Sequence, residues 1–374
     1  MDKIVRNNCI ICKSDLLDIK TYANFPIYMG TTADPRNTDL FLDMTFSKCE
    51  QCNTVQIRNL VPLEQLYFKG HNASVGQVWN EHHLQFSEFI NKSIKGKVVE
   101  VGGAHLALAK QLEKNTDIES ITVYDTNLIC YNNSETDKIF LREQLFNKDS
   151  VTFKPDAIIH SHVIEHLYNP MEEIRQLSEL LEDGKHMFIS APTIDVMMED
   201  KFTNAMNFEH TYGLTKSLLY NILSHSSLEV TRTQDYNKHC IFIEATKNSS
   251  IDTNVHLEHD SIFLNNFVDY YDNEVNRIDH LLSQDDRKKF IFGAHIFTQS
   301  LINFGLNENH FSFILDNDTS KQGERLYGTG LNVRSPHILK DLDSPLVVLK
   351  AGQYTQEIKS DILKNINSST RFIL

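Results

Sequence analysis

Lys97-Val-Val-Glu-Val-Gly-Gly103 reads as a buried strand that runs directly into two glycines. Leu106–Lys114 then has helical spacing, and Ile121-Thr-Val-Tyr-Asp125 is a second apolar strand ending in a carboxylate. Short apolar runs separated by an amphipathic stretch are the pattern of a parallel β-α-β unit. Glycine at the strand end removes the Cβ that would keep a ligand away from the backbone. Asp125 follows the glycines at roughly 20 residues, the spacing at which an acidic side chain meets a ribose hydroxyl. Glu100, Gly102, Gly103 and Asp125 are therefore expected to line a site for an adenosine-bearing cofactor. S-adenosylmethionine (SAM) and NAD both carry that ribose, so the spacing alone does not separate them.

The strands further along do. Asp156–His160 and Lys185–Ser190 continue the series, with an amphipathic helix over Pro170–Leu181 between them and a helix capped by Thr215 after them. Leu228–Gln234 and Cys240–Ala245 are two strands joined by a short turn. A hairpin closing a β-α-β series is the usual ending of class I methyltransferases and is uncommon in NAD-binding domains, an argument by fold analogy. The expected fold is thus α/β, a class I SAM-methyltransferase Rossmann-like sheet, with SAM as cofactor.

Ligands of open α/β sheets bind beyond the carboxyl ends of the strands. His160-Ser-His162-Val-Ile-Glu165-His166 ends the fourth strand and should face that region, with His160 and His162 on one face by period two. Asn204-Ala-Met-Asn207-Phe-Glu209-His210 precedes the Thr215 helix. A carboxylate next to an imidazole raises its basicity and suits a general base, so His210 with Glu209 is the leading acid–base candidate. His166 and His162 are expected near the acceptor, and His239 stands at the hairpin. These spacings are not the i, i+4 pair of a metal-binding helix. A satisfied core histidine is the alternative at each position.

Upstream, Cys9-x-x-Cys12 and Cys49-x-x-Cys52 form two knuckles, each able to present two thiolates to one tetrahedral zinc. Four sulfurs close the coordination sphere, so that zinc would be structural. The intervening Lys13–Lys48 is expected to be a large loop returning to the site. Downstream, a polar linker and one helix lead to a second, smaller α/β unit: Phe290–His295 as strand and turn, Phe311–Asn317 as a strand ending at Asp316, Leu346–Lys350 as another strand. Lys321-Gln-Gly323 and Gly328-Thr329 would place a lysine and glycine turns where phosphate can bind. The resulting division is a zinc-binding module over 1–70, a methyltransferase domain over 71–247 and a C-terminal Rossmann-like substrate-binding domain over 248–374.

Composition narrows the partners. The 374-residue chain carries a formal net charge of −14 and no long basic run, which argues against nucleic acid. No apolar run approaches the roughly 18 residues of a membrane span, and the first residues lack a signal-peptide pattern, so a cytoplasmic, membrane-free protein is expected, as monomer or small homo-oligomer.

With these residues assembled, the chain resembles the sugar C-methyltransferases of deoxysugar biosynthesis, enzymes that add a branching methyl to nucleotide-linked 4-keto sugars. The resemblance covers the order of the three parts and, within them, Trp79-Asn-Glu-His82, Glu209-His210, Gly293-Ala294, Leu315-Asp-Asn317, Lys321-Gln-Gly323, Gly328-Thr329 and Gln353-Tyr354-Thr-Gln-Glu-Ile358. It implies SAM contact by Trp79, and the strand-end position of His160 and His162 puts them among the expected SAM contacts. For a nucleotide-sugar substrate it implies Gly293, Asp316, Lys321, Gln322, Gly323 and Tyr354, to which the positions of Asn207 and His239 near the sheet edge add those two residues. It also implies His210 as the base. The sequence departs from the family where Asn-Asp-Gly is replaced by Ala104-His105-Leu106, where Asn72-Ala-Ser74 replaces tyrosine-serine-serine, at Asn207 in place of tyrosine, and at Cys240-Ile241 in place of glycines. Methylation of a sugar hydroxyl is the alternative activity, and an inactive methyltransferase-like binding scaffold the alternative without catalysis.

Overall fold

In the computed structural model, the residues described are 3–67, 77–103, 106–126, 128, 134–238, 240–251 and 260–374. The N-terminal segment is more regular than the loop expected between the cysteine pairs. β1 (Leu16–Pro26) and β2 (Phe41–Cys49) pair antiparallel, and β3 (Val55–Ile57) adds to β2. Tyr22, Phe25, Met44 and Phe46 are buried on this sheet. They reach their core by packing on distant residues: the Tyr22 ring lies 4.4 Å from Phe304 and Phe25 6.1 Å from Phe208. Such partners, hundreds of positions away, leave no trace in the local pattern.

After α1 (Gln77–Ile90) come β4 (Gly96–Val101), α2 (Ala107–Leu112), β5 (Ile118–Asp125), β6 (Ile139–Glu143) and β7 (Ala157–Ser161). Then follow α3 (Pro170–Ser178), β8 (His186–Pro192), α4 (Lys216–His225), β9 (Leu228–Tyr236) and β10 (Cys240–Lys247). The strands form one seven-stranded sheet in the order β9-β10-β8-β7-β4-β5-β6. β10 is antiparallel to both its neighbours, while the β8-β7-β4-β5-β6 pairs are parallel. Thr215 caps α4, its hydroxyl accepting from the Leu218 amide at 3.0 Å. The β9–β10 turn uses Asn237 and Lys238, both at positive φ (47° and 64°) as a tight hairpin requires. A reversed strand inserted beside the last parallel one defines the class I methyltransferase sheet.

The 22-residue α5 (Ile262–Ser283) leads to a second sheet. β11 (Lys289–Phe292), α6 (Ile296–Asn303), β12 (Phe313–Leu315), β13 (Val333–Arg334), β14 (Leu346–Leu349) and β15 (Arg371–Ile373) follow. All five strands are parallel, in the order β13-β12-β11-β14-β15. The sequence reading lacks β6, β13 and β15, which are short or at sheet edges.

The N-terminal module holds the two sheets together. Arg325 makes a bidentate ion pair with Asp39, both contacts at 2.6 Å, and Thr31–Thr32 pairs with Arg325–Leu326. Gln299 accepts from the Gly30 amide and donates to the carbonyls of Tyr28 and Tyr327. One continuous apolar cluster includes Phe46, Ile158, Phe208, Phe304 and Ile314, one residue or more from each part. Among the described residues, no helix is long and apolar enough to cross a membrane.

Candidate active site

The two glycines sit where a side chain cannot. A Cβ on Gly102 (φ +80°) would lie 2.3 Å from Val163 Cγ2, and one on Gly103 2.6 Å from Val123 Cγ1. Ala104 and His105 lie outside the described residues. Leu106 is buried and left-handed (φ 54°). Leucine holds this left-handed conformation at a cost of roughly 1–2 kcal/mol. Glu100 is buried beneath this turn, and its Oε2 has no hydrogen-bond partner among the described residues. Burial, reinforced by Asp125, pushes its carboxyl up to about 8. An orphaned buried oxygen below a glycine turn, with a second acid at the next strand end, fits a ligand that brings a positive amine and a ribose, as SAM does.

The base candidate is built by its loop. Asn207 is buried, and its Oδ1 accepts from the amides of Glu209 (2.7 Å) and His210 (3.1 Å), which folds the turn that presents them. Asn207 thus positions the pair, and its carboxamide is committed to that turn. His210 Nδ1 stands 3.2 Å from the carbonyl oxygens of both Asn204 and Ala205. Both are acceptors, so Nδ1 carries the proton and Nε2 is left as the basic nitrogen. Burial lowers the His210 pKa below its ordinary value, so the ring is neutral near pH 7. Glu209 is half-buried, and burial pushes its carboxyl up to about 7. The carboxylate grouped with His210 is Glu165: ligand atoms of Glu165, His166 and His210 all lie within 4.8 Å of one another. The rings of His166 and His210 meet edge-on at 4.9 Å. Tyr67 completes the group, its hydroxyl 3.4 Å from His166 Nδ1; burial first, and nearby acids such as Glu209 after it, push its phenol above the ordinary tyrosine range. Nothing in the sequence pattern around Tyr67 marks it, since it comes from the end of the N-terminal module.

That module also fixes the loop. Thr211–Gly213 lies along β3 as an added strand: Ile57 N donates to Thr211 O and Gly213 N to Val55 O, each at 2.8 Å. The buried Arg6 guanidinium donates to the carbonyls of Thr211 (2.8 Å), Tyr168 (2.9 Å) and Ile57 (3.3 Å). The cysteine cluster ends at Cys52, three residues before β3 begins. Its sulfurs stand 3.6 Å (Cys9–Cys52), 3.4 Å (Cys12–Cys49) and 3.5 Å (Cys12–Cys52) apart, near the separation of about 3.8 Å set by Zn–S bonds of ~2.3 Å. The two knuckles repeat each other. Cys9 N donates to Ser14 O and Cys49 N to Thr54 O, and the left-handed Lys13 and Asn53 stand at matching places. The residues fit a structural zinc.

The remaining expected residues divide. His160 is buried within β7, and burial pulls its pKa down to about 4. It does not share a strand face with His162, because the strand ends at Ser161 and His162 is left-handed (φ 51°). His162 turns instead to His82, 3.3 Å between their Nε2 atoms, with Trp79 edge-on at 5.0 Å. His239 lies outside the described residues. In the C-terminal sheet, Gly293 (φ 104°) follows β11 and Asp316 follows β12, as a nucleotide-binding unit arranges them. The Asp316 carboxylate is, however, used within the chain: Oδ2 accepts from Ala294 N (2.8 Å) and faces Lys321 Nζ (3.4 Å). Gln322 donates to the Asp316 carbonyl, Gly323 turns at φ 95°, and Tyr354 is exposed.

Residues 74–244 match the family model described as a methyltransferase domain. No curated protein matches the chain. Among solved structures, a putative methyltransferase from Bacillus halodurans is similar with a TM-score of 0.36 and 8% identity, over 45% of this chain and 100% of that one. An O-methyltransferase family protein from Burkholderia thailandensis is similar with a TM-score of 0.37 and 11% identity, over 46% and 57%. Magnesium protoporphyrin IX methyltransferase from Synechocystis, with bound SAH, is similar with a TM-score of 0.37 and 13% identity, over 50% and 93%. The matched segment coincides with the seven-stranded sheet, and the middle of the chain is a class I SAM-dependent methyltransferase domain.

Proposed function

We propose that this methyltransferase acts on a nucleotide-linked keto sugar and transfers the methyl group to carbon, in the making of a branched sugar for a surface polysaccharide or glycoside. The observation that carries the reading is His210: a neutral imidazole, Nδ1 locked by two carbonyls, Nε2 free to take a proton, beside the carboxyl edge of the cofactor sheet. Transfer to carbon needs such a base, because a C–H adjacent to a ketone must be deprotonated before that carbon becomes nucleophilic.

Glu100, Gly102, Gly103 and Asp125 hold SAM, which supplies an electrophilic methyl group. His210 Nε2 accepts the proton from the carbon next to the ketone. The Glu165 carboxylate, within 4.8 Å, stabilises the imidazolium formed. Tyr67 and His166, 3.4 Å apart, would hydrogen-bond the acceptor's oxygens. The nucleotide is placed against the second sheet, at Gly293 and Lys321, with Asp316 as a brace. The resemblance in the order and motifs of the three parts supports the substrate class. The test is mass spectrometry and NMR of products from candidate nucleotide sugars with SAM. A new carbon–carbon bond supports the reading. A methyl ether assigns O-methylation with the same base, and absence of SAM binding by calorimetry assigns a binding scaffold.

A further inference from the structure

Apart from the four cysteines, three donors converge that no step above uses. His82 comes from α1, His162 from the turn after β7, and Cys240 from the first position of β10. Their Nε2, Nε2 and Sγ atoms are mutually adjacent: His82 to His162 at 3.3 Å, Cys240 to His162 at 3.7 Å and Cys240 to His82 at 3.9 Å. Around a tetrahedral zinc with Zn–N of ~2.05 Å and Zn–S of ~2.3 Å, such atoms stand about 3.3 Å (N–N) and about 3.6 Å (N–S) apart. The triangle therefore has the edges of one face of that tetrahedron. His82 and Cys240 are buried, while the His162 side chain is 21% exposed and leaves one approach from outside.

Two more features belong to a metal site. His162 Nδ1 lies 3.1 Å from Glu165 Oε1. A ligating imidazole characteristically donates its second N–H to a carboxylate, which fixes its tautomer and aim. His162 also holds a left-handed backbone (φ 51°), and it is this turn that swings the ring off the strand toward His82 and Cys240. Ser190 Oγ, 2.8 Å from His82 Nε2 and 3.3 Å from Cys240 Sγ, borders the fourth position from the sheet side.

We propose that His82, His162 and Cys240 bind a second zinc ion, distinct from the four-cysteine site, with Ser190 or a water in the fourth position. Two imidazoles and one thiolate are a donor set that zinc takes readily. The ion ties α1, and with it Trp79, to the rim of the cofactor sheet. Through His162 it also holds Glu165 in place beside His210, so it positions the base cluster without touching the reacting atoms.

The experiment is metal analysis of the full chain purified with zinc and without chelator. Two equivalents of zinc are expected, and X-ray absorption at the zinc edge should give a combined shell of five sulfurs and three nitrogen or oxygen atoms, the two imidazoles and the Ser190 or water oxygen. Cys240→Ala and His162→Gln should each retain one equivalent, in an all-sulfur shell, with far-UV circular dichroism unchanged. The X-ray absorption measurement needs no variant and stands if those proteins fail to fold. One equivalent with an all-sulfur shell in the unmodified chain overturns the proposal, as do two equivalents that persist in folded Cys240→Ala. Neither result bears on the methyl acceptor.

Discussion

Glu100→Gln isolates the electrostatics of the cofactor turn. Glu100 is 3% exposed, and its carboxyl moves from 4.5 to about 8 on folding, by burial first and by Asp125 second. A pKa raised in the folded state means that stability is complete below pH 4.5 and is lost as pH rises toward 8, because the unfolded carboxyl ionises first. At ~1.4 kcal/mol per pH unit, a rise from 4.5 to about 8 sets a ceiling on the order of 5 kcal/mol. An effective interior dielectric near ~20 makes about half of that a realistic figure. Glutamine keeps the shape and never ionises. Its advantage over the wild type should therefore be small at pH 5 and grow to ~2 kcal/mol or more by pH 8. Urea unfolding followed by circular dichroism at pH 5, 6, 7 and 8 measures it. At pH 8, saturating SAM should stabilise the wild type more than the variant, since the carboxylate gains a partner. A stability difference that stays constant across this range would refute the reasoning.

Three further outcomes are expected. His210→Asn should lower turnover by ~10²–10⁴-fold with SAM affinity retained; in the wild type the rate should fall as pH drops through a midpoint below 6.5, where His210 is protonated, and that limb should vanish in the variant. Asp125→Ala should weaken SAM binding by ~1.5–3 kcal/mol, read by calorimetry, because a charged hydrogen-bonding group is removed. Cys52→Ser should lower the thermal midpoint and the turnover together, because β3 begins three residues later and carries the Thr211–Gly213 pairing; loss of stability with normal turnover in the folded fraction would separate the zinc module from the base.

What the sequence discloses depends on how local the cause is. The middle sheet without its edge strand β6 was readable from β4, β5, β7, β8 and the closing hairpin, because a buried strand must be apolar and its glycines have a steric reason at Gly102 and Gly103. The cysteine knuckles were readable because both ligands of each pair lie within one turn. The identity of the group around His210 was not. Glu209 is its chain neighbour, but Glu165 is the carboxylate gathered with it, and Tyr67 arrives from another part of the fold. His160 and His162 looked equivalent by alternation until the left-handed turn at His162 separated them. His82 and Cys240, 158 positions apart, share no spacing that a motif could record.

The pairing of Val55–Ile57 with Thr211–Gly213 has a consequence for how such a protein can be rebuilt. A graft that exchanges the middle domain for that of another methyltransferase, keeping the native N-terminal module, must reproduce the hydrogen-bond register of a strand pair that spans the graft junction. A one-residue slip would turn His210 to the opposite side of its loop. The smallest transplantable unit is therefore the domain together with the module that edges it, and recombination between relatives should succeed only where the crossover leaves that pair in one parent.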